Sequence, residues 1–211
     1  MTTPYTAWFD HVMPSAPGAM NGAVTQAIRR AVIEFCRLTL AYRHTPSAIN
    51  IVGATSTYTI TPPAGTQVQD FIDVRVNGLD IDGRSNEWLD MHVDDWRTTA
   101  TGPARAWRSP GTNQIQLVPT PSESITGGLV VECALRPTEA STEIPDWIFA
   151  DYVQAIKWGA LEQLCAMPRK PWTNGALYAE AKREFSSWCE AAAAKSAQGG
   201  TRAPLRSSIS F

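Results

Sequence analysis

Apolar residues recur along this chain with two different periods, one helical and one extended, and the helical signal is strongest between Ile144 and Ala194. Pro145 suits a first helical turn, where a missing N–H costs nothing, and Asp146 sets a negative charge at the positive end of the helix dipole. Phe149, Val153, Ile156, Ala160, Leu164 and Met167 follow at steps of three or four, and Pro168 stops the run beside Arg169 and Lys170. The spacing predicts a helix of about 22 residues. After a loop bracketed by Pro168 and Pro171, Thr173 or Asn174 is placed to cap a second helix with the stripe Leu177, Ala181, Phe185, Trp188, Cys189 and Ala192. So short a connection makes the two helices antiparallel neighbours.

Their expected partner lies near the other end. Asn21 is placed to cap a run in which Val24, Ile28, Ala31, Phe35, Leu38 and Tyr42 form a stripe, flanked by Ala27, Val32 and Leu40. Apolar on more than one side, this helix requires cover on two faces, and it is expected to fade at Arg43 and His44 ahead of Thr45 and Pro46. Before it, Tyr5 to Met13 predicts a short helix that buries Trp8, Phe9, Val12 and Met13 and stops at Pro14.

Between these ends the period is two. Ile49 with Ile51, Tyr58 with Ile60, and Ile72 with Val74 and Val76 alternate with polar neighbours, and Asn77-Gly78 supplies a type I′ hairpin turn. Ile115 with Leu117, and Leu129 with Val131, Cys133 and Leu135, repeat the pattern. Short alternating strands punctuated by Gly, Pro and Asn indicate a half-exposed antiparallel sheet, a small sandwich or open barrel. The predicted fold class is α+β: a three-helix bundle built from both chain ends, an inserted antiparallel β domain and an extended C-terminal tail. The expected boundaries are 1–47 and 138–198 for the two parts of the bundle, 48–137 for the β insert and 199–211 for the tail.

That tail, GGTRAPLRSSISF, changes the picture. Its glycines end the last helix, and Leu205, Ile209 and Phe211 are too few to order it alone. It is expected to take a fixed conformation only against a partner.

Composition bounds the function. The chain has 211 residues, 44% of them hydrophobic, and a formal charge of -2. That length and composition suit a sizeable core, and the near balance of charge argues against holding nucleic acid by neutralising phosphates. Residues 48–137 hold six basic and ten acidic groups, and the tail holds two basic and none acidic. No apolar run suits a membrane span, and the start MTTPYTAWFD lacks a signal-peptide pattern, so a cytoplasm-like compartment is expected. Cys36, Cys133, Cys165 and Cys189 are 97, 32 and 24 positions apart. Such spacing fits neither a zinc site nor a disulfide framework and predicts buried free thiols.

Catalytic chemistry is thin. Asp80, Asp82 and Gly83 faintly resemble a calcium loop, but its twelfth position, which needs a bidentate Glu, is Met91. His92 with Asp94 or Asp95 has the makings of a general base and its orienting carboxylate. The plainer reading is a solvated connection anchored by Trp88 and Trp96. Trp147, Trp158, Trp172 and Trp188 offer a stacking platform on paper, but at helical spacing they read as core or subunit contact. No nucleophile elbow, phosphate loop or zinc-protease motif occurs, so no catalytic residue, cofactor or metal is assigned.

The passages AIRRAVIEFCRLT, YTITPP, DVRVNG, TGPARAW, NQIQLVPTP, LRPTEAS and IPDWIFADYVQAIKWGALEQLCAMPRKPWTNGALYAEAKREF resemble, in this order, the head-to-tail adaptors of tailed bacteriophages, a family that includes the tail tubular A proteins. The resemblance reaches to about Ala194 and is weakest at GTQVQDF and at Asp80 to Asp95. It implies a structural virion protein, not an enzyme, assembled in the host cytoplasm and sited at the head–tail interface. It further implies a ring of about twelve copies between the portal protein and the tail or neck proteins, with genomic DNA passing through without sequence-specific binding. The C-terminal extension of such adaptors grips the portal, which here points to Arg202, Leu205, Arg206, Ile209 and Phe211. Two other readings are a tail completion or connector protein lower in the neck, and a hydrolase or ligand-binding module using residues 80–95.

Overall fold

A computed structural model describes residues 1–98 and 101–199 and shows a mixed α+β chain. In order the elements are β1 (Thr2–Pro4), α1 (Phe9–Val12), α2 (Asn21–Thr39), β2 (Arg43–His44), β3 (Ile49–Ile51), β4 (Thr57–Thr59), β5 (Thr66–Val76), β6 (Leu79–Asp80) and β7 (Asp82–Gly83). There follow α3 (Asn86–His92), β8 (Ala106–Gly111), β9 (Gln114–Val118), β10 (Ile125–Pro137), β11 (Glu143–Pro145), α4 (Asp146–Cys165) and α5 (Gly175–Ala197). Two compact units result: Met1–Tyr42 with the chain from Arg136 onward, and Arg43–Leu135.

In the first unit α2, α4 and α5 share one core. Its widest helix is α2, which buries Val24, Ala27, Ile28, Ala31, Val32, Phe35 and Cys36, as two-sided cover requires. Asn21 is not its cap. Met20 takes that place, its carbonyl accepting from the N–H groups of Ala23 and Val24 at 2.9 and 3.1 Å. The helix also ends earlier than its apolar stripe suggests. Thr39 donates its hydroxyl to the Phe35 carbonyl (2.8 Å) and accepts the Ala41 N–H (3.3 Å), while Leu40 turns left-handed at φ 50°. A side chain that competes with the backbone ladder closes the helix there, and Arg43 and His44 are extended.

Neighbouring pairs fix the directions of the long helices. Asp151 meets Lys195 and Gly159 meets Phe185, so α4 and α5 run antiparallel. Gly159 also meets Ala31, and Tyr152 lies 4.8 Å from Phe35 ring to ring, so α2 and α4 are antiparallel too. It follows that α2 and α5 run the same way, and the Ser196 hydroxyl at the end of α5 donates to the Leu40 carbonyl (3.0 Å). A Cβ at Gly159 would sit 2.8 Å from the Phe185 ring and 2.9 Å from the Ala31 methyl, so three helices approach most closely where α4 has no side chain.

Wedged between two helices, α4 buries more than the stripe predicted for it. Ile148, Tyr152, Ala155, Gly159 and Leu161 are buried, while Phe149, Val153 and Met167 are half-buried and lie at the edge of the core. The helix breaks its ladder at Tyr152 (φ -127°, ψ 21°), which rotates the two halves of the stripe relative to each other. Pro145 is its cap and Asp146 its first residue, one position later than expected. Of the two candidate caps for α5, Asn174 accepts the Leu177 N–H (3.1 Å). Thr173 instead closes the loop, donating to the Met167 carbonyl and accepting the Lys170 N–H.

The amino-terminal segment is one α-turn between two 3₁₀ turns, spanning Tyr5–Ser15, and it runs through Pro14. Early positions of a 3₁₀ turn need no donor, so proline continues it. Trp8 is fully enclosed and packs edge-on against Phe149 at 4.6 Å. A two-stranded pair ties the unit together, Thr2 lying opposite Pro145 and Pro4 opposite Glu143.

The second unit holds a five-stranded sheet in the order β2-β10-β5-β6, with β3 also on β10, and a four-stranded sheet β4-β9-β8-β7. Asn77 and Gly78 take left-handed φ of 50° and 78° and close the β5–β6 hairpin with Val76 opposite Leu79. Strand β7 pairs with β8 in parallel, Asp82 beside Ala106, while β2 and β3 on β10, β5 on β6, β4 on β9 and β8 on β9 are antiparallel. Strand β5 also departs from strict alternation: Phe71, Val74 and Val76 are buried and Ile72 is only half so. Phe71 packs 5.4 Å from Trp107 of the other sheet, and that aromatic contact decides which face turns inward.

Candidate functional site

Chemistry and exposed apolar area fall in several regions of the described surface. The first is the end of α5, from which the tail departs. Lys195 reaches Asp151 at 3.9 Å and lies over the Tyr152 ring at 5.7 Å, and Tyr152 in turn packs edge-on to Trp147. Trp147 also meets Tyr42 at 6.2 Å and remains 38% exposed, so an aromatic patch surrounds the last turn of α5. Arg202, Leu205, Arg206, Ile209 and Phe211 lie outside the described residues.

The second is an open groove of ≈ 970 Å³ on the helical unit, walled by α2, the carboxyl half of α4 and the amino half of α5. Leu38, Met167 and Phe185 give it apolar surface, and Glu34, Glu139 and Glu162 line it together with Arg30 and Lys182. Glu34 is held by Arg37 through two hydrogen bonds of 2.9 and 2.6 Å. Burial raises the Glu162 carboxyl above the usual range, and Lys182 partly opposes that shift. Sequence reading missed this groove, because its walls come from three segments that periodicity assigns to separate stripes. Leu38, placed by its spacing in the apolar stripe of α2, is instead exposed at the edge of the groove.

The third is residues 80–98. Expected as a solvated connection, the stretch contains α3, capped by Ser85 whose side chain accepts the Trp88 N–H at 3.2 Å. Leu89 and Trp96 are buried with Ala106 and Val118 in a small core, so the anchoring falls to Leu89 and Trp96 rather than to both tryptophans; Trp88 is half-buried. Three of the six acids of this stretch pair with arginines. Asp82 pairs with Arg84 (2.6 Å), Asp80 with Arg75 (2.7 Å) and Asp90 with Arg97 (2.5 Å). Hydrogen bonds from Arg97 and from the Trp96 indole hold the Asp90 carboxyl below the usual range. His92 stacks on Trp88 at 4.3 Å and bonds through Nδ1 to the Trp88 carbonyl, not to Asp94 or Asp95. The arrangement buttresses a helix and offers no base–carboxylate pair. Among the described residues, no group of three His, Cys, Asp or Glu is placed to hold a metal ion.

The tryptophans divide. Trp172 is buried and Trp158 half-buried, while Trp147 at the start of α4 and Trp188 near the middle of α5 are 38% and 37% exposed. All four thiols are free and buried. Burial pushes the Cys36 and Cys189 thiols up to about 12 and Cys133 to about 11. A thiol so disposed is a small apolar side chain and a poor nucleophile. No described helix is long and apolar enough to cross a membrane.

Comparison with known proteins gives a whole-chain match. The family model described as SU10 adaptor protein covers residues 8–208. No curated protein matches the chain.

Proposed function

The chain belongs to the SU10 adaptor protein family, a family of phage head-to-tail adaptors, and from that premise we propose that copies of it close into a ring beneath the portal, join capsid to tail and leave a channel for the genome. Membership makes the protein a structural adaptor of a bacteriophage virion, and the family implies contact with portal and tail proteins at the head–tail interface. The observation that carries the proposal is the extent of the match, which includes segments of both compact units.

In this reading residues 1–47 and 138–198 make a three-helix bundle, 48–137 an inserted β domain, and 199–211 the segment that reaches the portal through Arg202, Leu205, Arg206, Ile209 and Phe211. About twelve copies in a closed ring repeat one modest grip, and repetition supplies avidity without any strong single contact. A net charge of -2, with six basic against ten acidic groups in 48–137, lets DNA slide through without being held by its phosphates. The ring is assembled in the host cytoplasm and acts mechanically.

Negative-stain imaging of the purified protein with its portal tests the ring: closed rings seated on the portal are expected, and a persistent monomer that ignores the portal overturns the proposal. Deleting Thr201–Phe211 is expected to leave the far-UV circular dichroism unchanged and to abolish co-sedimentation with the portal. Undiminished co-sedimentation refutes the tail assignment.

A further inference from the structure

The turn between α4 and α5 is a braced knob whose charges have no partner. Arg169 and Lys170 lie in a stretch that holds no acidic residue between Glu162 and Glu180, and their side chains make no hydrogen bond or ion pair among the described residues. By contrast Arg37, Arg183 and Lys195 of the same unit each reach a carboxylate. Thr173 holds the turn in shape: its hydroxyl accepts the Lys170 N–H at 3.0 Å and donates to the Met167 carbonyl, and its N–H reaches the Lys170 carbonyl at 3.0 Å. Arg169 takes a left-handed φ of 58°, which a residue with a Cβ adopts only where its surroundings impose it.

Carboxylates in the same condition line the groove. Glu139 and Glu162 make no hydrogen bond or ion pair among the described residues, and Leu38, which shares the groove, is 46% exposed. Burial raises the Glu162 carboxyl, so a cation brought to it gains more than one brought to a fully hydrated acid. Within one copy the two sets of charge stay apart.

We propose that the α4–α5 turn of one copy seats in the groove of the next, Arg169 and Lys170 against Glu139 and Glu162, and that this contact is the one repeated around the ring. The inference rests on the ring reading above and supplies its contact. Knob and groove are different surfaces of one chain, so the contact is heterologous: each copy gives its turn to one neighbour and receives the turn of the other, as a closed ring requires. The turn lies at an end of the bundle and the groove on its flank, so the bundles lean, the end of one against the side of the next. Two exposed pairs are weak alone, and Arg30 and Lys182 in the groove weaken them further. Repetition around the ring makes up the difference.

Reversing the charges tests the seat. Two variants, Arg169→Glu with Lys170→Glu and Glu139→Lys with Glu162→Lys, are each mixed with the portal and imaged in negative stain. Neither is expected to close rings, each contact being weakened roughly thirtyfold as two attractions become repulsions. A chain carrying all four changes is expected to close them again, since its acidic turn meets a basic groove. Far-UV circular dichroism verifies that each variant folds, and Glu139→Lys alone, at an exposed position, replaces the double change if Glu162→Lys unfolds the chain. Closed rings from either variant overturn the seat and leave the ring standing; if only the turn variant fails, the turn belongs to the portal. A fourfold variant that folds and stays open also overturns the pairing. A wild type that forms no ring is the failure of the ring reading itself, seen in the same images.

Discussion

Adding one methyl group to Gly159 tests whether the helices meet as closely as described. In an ordinary helix interior Gly→Ala stabilises by about 1 kcal/mol, because glycine is the more costly residue to fix. Here the new Cβ would stand 2.8 Å from Phe185 Cε2 and 2.9 Å from Ala31 Cβ, inside the distance that carbon atoms tolerate. The Phe185 ring can tilt, but Ala31 cannot withdraw without moving α2. Overpacking of a tight core costs about 1–3 kcal/mol, so the gain in propensity is cancelled or exceeded and Gly159→Ala should be neutral to about 2 kcal/mol destabilising. Valine adds two further methyls and a β-branch, and Gly159→Val should lose about 3 kcal/mol or more. The assay is urea unfolding followed by far-UV circular dichroism, which is dominated by the long helices, with Phe185→Leu as the relieving second change. Leucine in place of the ring should cost stability alone and cost less in the Gly159→Ala background. If Gly159→Ala raises the midpoint as a solvent-facing glycine would, the close approach of α2, α4 and α5 is wrong.

Two more outcomes follow from the cores and the thiols. Leu89→Ala should destabilise the small core around Trp96 by about 2–5 kcal/mol and accelerate amide exchange in α3; unchanged exchange there would mean that Leu89 does not anchor it. Cys36, Cys133 and Cys189 have folded pKa values raised to about 12, 11 and 12, so above the unfolded thiol value of about 8.5 only the unfolded chain gives up these protons. Stability should be at its full value below that pH and fall as pH rises from there toward the folded values. Cys36→Ala with Cys189→Ala should flatten the slope, and a slope that persists unaltered would assign it to other groups.

How much was legible in the sequence depended on whether one residue decided the outcome locally. Asn77-Gly78 determined a hairpin because two left-handed residues in succession have few other uses. Asn174 and the paired prolines set the start of α5, since caps act within one turn. The end of α2 was not legible: the apolar stripe continues to Tyr42, and only the back-bond from Thr39 to Phe35 stops the helix three residues sooner. Nor was the inward face of α4, because a helix covered from two sides has no single stripe to read, and its turn at Tyr152 shifts the phase. Helix α3 was hidden by its charges. Leu89 is the one residue in it that is buried, and a period needs more than one point. The groove could not be found from periodicity at all, since Leu38, Glu139, Met167 and Phe185 become neighbours only after the helices dock.

The pairing of Thr2 with Pro145, and the packing of Phe35 on Tyr152, set a timetable for synthesis. The long helices that α2 buries against, α4 and α5, leave the ribosome more than a hundred residues after it, so the oldest hydrophobic surface of the nascent chain is also among the last to be covered. A ribosome that stalls before α4 releases a product with Trp8, Ile28 and Phe35 open to water, ready prey for chaperones and proteases. Quality control thus needs no separate signal: a chain that lacks its final third cannot hide its beginning.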